Sequence, residues 1–119
     1  MSLDKGHAAE TQAKSYLESK GYVFLAANYR TRYGEVDLVM QEGDALVFVE
    51  VKSRKTRAFG APEEFVTAPK QGKIVKAALE YVKEHRRVKS PLRFDVVAIE
   101  NGRVLHYENA FESSLGYTH

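Results

Sequence analysis

The sequence contains no cysteine among its 119 residues. Disulfide bridges, thiolate zinc sites and cysteine nucleophiles are therefore excluded, and the composition fits a reducing compartment. No apolar run approaches the length of a membrane-spanning helix, and the N-terminal residues are polar rather than a signal core. These absences predict a cytoplasmic protein with no membrane association.

Several common catalytic signatures are also missing. There is no P-loop, no dinucleotide-binding glycine fingerprint and no serine-nucleophile elbow. None of the four histidines has a partner at metal-ligand spacing, so we interpret His7, His85, His106 and His119 as non-catalytic. The chain has no internal repeat, low-complexity tract or linker, and its length predicts a single domain over residues 1–119.

Charge is unevenly distributed although the net charge is only +2. Residues 1–51 hold five basic and eight acidic side chains, whereas residues 52–103 hold thirteen basic and six acidic ones. An acidic segment thus precedes a basic one, which favours a polyanionic partner such as nucleic acid. A soluble protein with clustered lysines would show the same distribution, so charge alone leaves both interpretations open.

Two segments have helical periodicity. The first runs from Asp4, a suitable cap, to about Lys20, with Gly21 as a C-terminal stop. The second covers residues 69–85, follows the potential cap Thr67 and has Pro69 in its first turn. Each has one apolar face, formed by Ala9, Ala13, Tyr16 and Leu17 in the first helix and by Ile74, Ala78, Tyr81 and Val82 in the second.

Five segments are typical of strands. A buried strand over 22–27 and a basic loop over 28–34 precede an alternating strand over 35–42, in which Val36, Leu38 and Met40 share one side. Gly43 and Asp44 form a two-residue hairpin turn into a strand over 45–53. A polar connection over 54–67 and strands over 92–100 and 103–108 complete the order α-β-β-β-α-β-β. This order predicts an α/β fold with a mixed sheet flanked by helices.

The hairpin places two acids opposite each other. With a two-residue loop, Asp37 faces Glu50 and Glu35 faces Lys52, and a longer loop would shift this register. Carboxylates on facing positions, with Cβ atoms roughly 4.5–5.5 Å apart, repel by about 3 kcal/mol at an effective dielectric near 20. A shared proton, a nearby cation or a slipped register would relieve this repulsion.

A divalent metal is the cation best suited to hard carboxylate oxygens, and carboxylates with water select Mg²⁺ or Mn²⁺ rather than zinc. Lys52, on the same strand face as Glu50, can hold a phosphate, orient water or stabilise developing negative charge. Glu35 can orient Lys52. Glu10, at the edge of the first helix's apolar face, is either a surface residue or a third metal ligand.

Each of these residues has a simpler interpretation. Glu50 and Lys52 can form a solvated ladder on an exposed sheet face, and Asp95 is better explained as a strand-end acid than as a ligand. Around the acids, a set of basic and aromatic side chains can track a phosphate backbone or merely solvate the surface. This set comprises Arg30, Arg32, Tyr33, Lys55, Arg57, Lys70, Lys73 and Lys76.

The segments "GHAAETQAKSYLESKGYVFLAANYRTRYGEVDLVM", "LVFVEVKSR", "FGAPEEFV" and "RFDVVAIENG" resemble the YraN-like family of small bacterial proteins over nearly the whole chain. That family is placed in the PD-(D/E)XK nuclease superfamily and resembles archaeal Holliday junction resolvases. The resemblance implies a restriction-endonuclease-like core, α-β-β-β-α-β. It also implies motif acids that bind Mg²⁺ and a motif lysine that assists water attack on a phosphodiester.

On this resemblance, the motif aspartate is Asp37, the E-x-K pair is Glu50 and Lys52, and the first-helix glutamate is Glu10. The motif proline is replaced by Val36. We therefore expect a metal-dependent endonuclease acting on DNA, including branched DNA. A non-catalytic DNA-binding or adaptor module is the alternative, and a protein-interaction scaffold is a third. A homodimer is also considered, because a resolvase-like enzyme must cut two strands symmetrically.

Overall fold

The computed structural model describes residues 5–54 and 66–112. Its elements are α1 (Lys5–Ser19), β1 (Val23–Arg30), β2 (Glu35–Glu42), β3 (Ala45–Arg54), α2 (Ala68–Glu84), β4 (Leu92–Glu100) and β5 (Arg103–Phe111). The predicted order α-β-β-β-α-β-β is confirmed, and it is consistent with a restriction-endonuclease-like core. The predicted cap Asp4, the predicted DNA contacts Lys55 and Arg57, and His119 lie outside the described residues.

The five strands form one mixed sheet in the order β1-β2-β3-β4-β5. β3 and β4 are parallel, and the other neighbouring pairs are antiparallel. A parallel pair needs a long crossover between its strands, and α2 lies in that connection. Within the part of the chain that the structure describes, neither helix combines the length and apolarity needed to cross a membrane.

The two helices cover opposite faces of the sheet. Side chains alternate along a strand, so Val47 and Val49 of β3 pack with α1 while Leu46 and Phe48 pack with α2. The buried side chains of the two helices confirm the predicted apolar faces. They are Ala9, Ala13 and Leu17 in α1 and Ile74, Ala78, Tyr81 and Val82 in α2. β3 is therefore buried on both sides from Leu46 to Glu50, so the carboxylate of Glu50 is not on a solvated face.

The end of α1 follows the sequence prediction. Gly21 has φ +94°, a conformation that residues with a Cβ rarely adopt. The amide of Tyr22 donates to the Leu17 carbonyl at 3.0 Å, which closes the last turn. At the start of α2, Thr67 occupies the N-cap position, but its side chain makes no capping hydrogen bond.

Two strand predictions are wrong in detail. β1 is not a buried strand ending at residue 27, because it lies at the sheet edge and pairs with β2 as far as Arg30. Its Val23 side chain is 57% exposed. Val36 does not share a face with Leu38 and Met40, because it packs in the α2 cluster while they pack in the α1 cluster. The regular alternation of β2 therefore breaks beside Asp37.

Candidate active site

The predicted hairpin register is confirmed, and it ends one residue before the two acids would pair. β2 and β3 pair from Glu42 with Ala45 to Leu38 with Val49. Beyond that point the Val51 amide donates to Asp37 Oδ2 at 2.8 Å. A side-chain carboxylate thus replaces the strand backbone as the hydrogen-bond partner.

Glu50 lies on the α2 face of β3 and is only 6% exposed. Its Oε2 forms a 2.5 Å ion pair with Nζ of Lys70, in the first turn of α2. Its Oε1 is buried, and no hydrogen-bond partner for it is present in the described ranges. An unsatisfied buried carboxylate oxygen is costly, so this position favours a cation. The interpretation of Glu50 as part of a solvated ladder is excluded.

Asp37 is partly buried beside Glu50. Burial and then the negative charge of Glu50 raise the pKa of Asp37 to about 7, with a smaller contribution from Glu10. The Val51 hydrogen bond and the Lys70 ammonium act in the opposite direction. The predicted electrostatic conflict between Asp37 and Glu50 is therefore present, and a proton on Asp37 relieves it near neutral pH.

Glu10 and Glu35 are joined by Asn28 of β1. Nδ2 of Asn28 donates to Glu10 Oε1 and to Glu35 Oε2, both at 2.9 Å. Asn28 has φ +53°, a left-handed conformation that asparagine tolerates better than most residues. The other Glu35 oxygen lies 3.4 Å from the exposed Arg30 guanidinium. Glu35 thus contacts Asn28 and Arg30, and the β2–β3 ladder ends before the predicted pairing of Glu35 with Lys52.

Lys52 follows Glu50 by two residues on β3 and is partly buried. It pairs with Ala98 in the parallel ladder with β4. Strand alternation directs its side chain toward the face that Glu50 and Phe48 occupy. Its predicted position beside Glu50 on one sheet face thus agrees with the regular pairing of β3.

The donor set fits a hard divalent ion. Glu50 offers the unsatisfied Oε1, and Asp37 offers Oδ1 because Oδ2 accepts from Val51. Mg²⁺ is commonly bound by one or two carboxylates, with waters and substrate phosphates completing its shell. Across the described residues, no group of three or more His, Cys, Asp or Glu side chains is arranged to hold a metal. Glu10 is close enough to Asp37 for its negative charge to raise the Asp37 pKa, and its predicted role as a third ligand stays a prediction.

Four predicted DNA-contacting residues meet around the loop 31–34. The Arg32 guanidinium lies 5.1 Å from the centroid of the Tyr33 ring, and the Lys76 ammonium lies 5.7 Å from it. Lys73 comes close as well, since a Cβ on Gly34 would lie 3.5 Å from the Lys73 Cβ. Because Lys70 and Lys73 are one helical turn apart, this basic surface continues from the acidic pair. We call Arg32, Tyr33, Lys73 and Lys76 the basic surface.

Asp95 belongs to a different polar cluster, on the α1 face of the sheet. Its side chain is 0% exposed and accepts from Arg93, from the Asn109 amide and at 2.7 Å from His106. Burial would raise the pKa of Asp95, but these hydrogen bonds outweigh it and lower the pKa below its ordinary value. A fully paired acid of this kind anchors β4 and β5, as its structural interpretation predicts.

The comparisons with known proteins place the chain in a family. The model of the uncharacterised protein family UPF0102 matches residues 9–99. The chain belongs to this family. A UPF0102 protein of Sulfurihydrogenibium sp. (strain YO3AOP1) is 47% identical over 107 residues, which cover 90% of this chain and 93% of the relative. One from Syntrophomonas wolfei is 46% identical over 115 residues, covering 93% of this chain and 100% of the relative.

The UPF0102 match spans every described residue of the acidic site. The contacts of two of these residues, Asn28 and Lys70, were not predicted from the sequence. Asn28 was assigned to a loop, whereas it lies within β1 and its side chain bridges Glu10 and Glu35. Lys70 was assigned to DNA, whereas its ammonium pairs with Glu50. No local pattern connects a lysine on a helix to a glutamate twenty residues earlier, so only the tertiary fold reveals this pair.

Proposed function

We propose that this UPF0102 protein is a metal-dependent endonuclease that hydrolyses phosphodiester bonds of DNA, including branched DNA such as Holliday junctions. The observation that supports it is the buried, unsatisfied Oε1 of Glu50 beside the partly buried Asp37. Two acids held together against their own repulsion indicate a site built for a cation. The resemblance of the GEVD and VEVK segments to the PD-(D/E)XK superfamily supports the same assignment.

Asp37 and Glu50 would hold Mg²⁺ or Mn²⁺, which supplies a bound water of lowered pKa and polarises the phosphate. Lys52 positions the attacking water and stabilises the negative charge that develops on the phosphate oxygens. In the hydrolysis, the water oxygen forms a bond to phosphorus while the bond to one sugar oxygen breaks, and that oxygen leaves with a proton. Glu10 and Glu35, held by Asn28, support the negative potential of the site.

The basic surface would bind the DNA backbone beside the acids. Arginine and lysine neutralise phosphates, and the half-buried ring of Tyr33 offers a surface on which an unpaired base can stack. Arg30 lies next to Glu35, and Lys70 links α2 to Glu50. Lys55 and Arg57 complete the predicted contacts from outside the described residues.

Cleavage of fluorescent duplex and four-way junction DNA with Mg²⁺ or Mn²⁺ tests this proposal. We expect cleavage by the wild type, loss of at least about 100-fold in rate for Asp37→Ala and Lys52→Ala, which remove groups acting on the reacting phosphate, and full activity for the exposed control Glu18→Gln. Activity retained by Asp37→Ala, or absent from the wild type with either metal, would overturn it. Light scattering of the same preparations tests whether the protein is a homodimer.

A non-catalytic DNA-binding module is the second candidate, and the Glu50–Lys70 ion pair favours it. An ammonium at 2.5 Å already neutralises one of the two acids without any metal. This candidate predicts DNA binding that weakens with salt, survives Glu50→Ala and Lys52→Ala, and is never followed by cleavage. Calorimetric titration with Mn²⁺ distinguishes the two, since only the endonuclease requires an ion at Asp37 and Glu50.

A further inference from the structure

An open cavity lies at the opposite end of β3 from the acidic site. It has a volume of about 620 Å³ and is lined by Gln41 and Asp44 of the β2–β3 hairpin and by residues 86–91, which connect α2 to β4. This size is within the usual range for small-ligand sites. Three of the lining side chains are cationic, namely Arg86, Arg87 and Lys89, against the single carboxylate of Asp44. The cavity therefore favours an anion.

The wall formed by residues 86–91 is held in place by its own hydrogen bonds. The Arg87 amide donates to the Val82 carbonyl at 2.9 Å, and the Ser90 amide donates to the Arg87 carbonyl at 3.0 Å. Nε of Arg87 also donates to Ser90 Oγ at 3.0 Å. The Pro91 carbonyl accepts from Leu46 of β3, which ties this wall to the sheet. The cationic side chains are thus presented from a fixed backbone.

Arg86 occupies a backbone position that suits glycine better. Its φ is +55°, in the left-handed region where a residue with a Cβ is disfavoured by about 1–2 kcal/mol. Helices often end with a glycine at this point, yet the chain has an exposed arginine. An exposed cation after a helix C-terminus stabilises the helix by less than about 1 kcal/mol. This stabilisation does not exceed the backbone strain at Arg86. The residue therefore indicates a use for its guanidinium beyond helix stability.

The cavity is connected to the basic surface along α2. Lys73, Lys76 and Lys83 are exposed and lie on one side of the helix, with Glu80 the one acid between them on that side. At 1.5 Å per residue, the helix advances about 21 Å from Lys70 to its last residue, Glu84. A DNA strand advances about 3.4 Å per base pair, so this distance corresponds to roughly six base pairs.

We propose that the cavity holds a phosphate of the DNA backbone and forms the far end of a contact path along α2. This rests on the proposed DNA substrate, but it assigns a second contact region that the acidic site does not require. Arginine is suited to this role because its planar guanidinium matches phosphate geometry. The cavity positions the duplex, while Asp37, Glu50 and Lys52 act on the bond that is cut.

Binding of a 24-base-pair fluorescent duplex, measured by anisotropy in EDTA across a salt series, tests this inference. The test variant is Arg86→Gly/Lys89→Gln, whose glycine relieves the strained position and so preserves the fold. The matched control is Lys14→Gln/Arg103→Gln, which removes the same charge from the α1 side and from β5. We expect the test variant to bind roughly tenfold or more weakly, with a salt slope lower by about two, and the control to change little.

Equal weakening in both variants would overturn the cavity assignment, because it would show only a general effect of net charge. Unchanged binding by the test variant would overturn it as well. Cleavage with Mg²⁺ is measured separately on the same proteins. Specific weakening by the test variant without wild-type cleavage would support the cavity and overturn the endonuclease. Wild-type cleavage with no specific weakening of binding would support the endonuclease and overturn the cavity assignment. Failure of the wild type to bind DNA would overturn both proposals.

Discussion

The backbone N–H of Val51 donates to the carboxylate of Asp37 at 2.8 Å, where the β2–β3 ladder would otherwise continue. This bond holds an acid with a pKa raised to about 7 next to a second, buried acid, Glu50. The β2–β3 ladder ends at the two acids of the proposed site, so the end of the hairpin and the acidic pair are one structural feature.

Replacement of Asp37 by Asn is expected to stabilise the protein at pH 8 without divalent ions. The amide keeps an oxygen for the Val51 bond and removes a charge that burial and Glu50 disfavour. The pKa of Asp37 is about 7 in the folded protein and about 3.9 in the unfolded chain. Ionisation of Asp37 therefore lowers the free energy of unfolding as pH rises from about 4 to 7. The penalty at pH 8 is at most about 4 kcal/mol, so thermal melting should show Asp37→Asn higher by several °C.

The same comparison at pH 4 provides the internal check. Asp37 is then protonated in the folded protein, and the advantage of Asp37→Asn should nearly vanish. Addition of Mg²⁺ or Mn²⁺ at pH 8 should raise the melting temperature of the wild type but not of the variant. An advantage independent of pH would mean that the charge of Asp37 is not under strain.

Asp95 has the opposite pH dependence. Hydrogen bonds from His106, Arg93 and the Asn109 amide lower its pKa despite its burial, so its contribution is present above about pH 4 and lost as pH falls below it. We expect Asp95→Asn to lower the free energy of unfolding by about 3 kcal/mol or more at pH 7, since it removes the buried anionic partner of Arg93. Urea denaturation measures this, with Glu18→Gln as the exposed control. A loss below about 0.5 kcal/mol at pH 7 would contradict the anchoring role.

Asn28 allows the backbone and the side chain to be tested separately. Asn28→Gly keeps the left-handed conformation but removes the amide that bridges Glu10 and Glu35. Asn28→Ala removes the amide and adds backbone strain of about 1 kcal/mol. We expect DNA cleavage to fall similarly in both variants and melting temperature to fall further in Asn28→Ala. If Asn28→Gly cleaves DNA like the wild type, the bridge does not support the site.

The sequence predicted those features that depend on local spacing. A two-residue turn at Gly43 and Asp44 fixes the pairing of every residue from Leu38 to Val49, and helical periodicity identified the buried faces of α1 and α2. The strand separation at Asp37 and the placement of Val36 could not be predicted in this way. Both depend on how β1, with its left-handed Asn28, and α2 pack against the end of β2, and such contacts leave no periodic signal.

The Glu50–Lys70 pair gives the most direct test of whether the site is built for a metal. The Lys70 side chain is 43% exposed, so its ammonium can move into solvent when a divalent ion replaces it as the partner of Glu50. Because the ammonium and the ion compete for one carboxylate, Lys70→Gln should bind Mn²⁺ several-fold more tightly in calorimetric titration and melt at a lower temperature without metal. The matched control is Lys73→Gln, one helical turn further along α2. Weaker Mn²⁺ binding by Lys70→Gln than by this control would show that Lys70 helps to build the site rather than occupying the place of the ion.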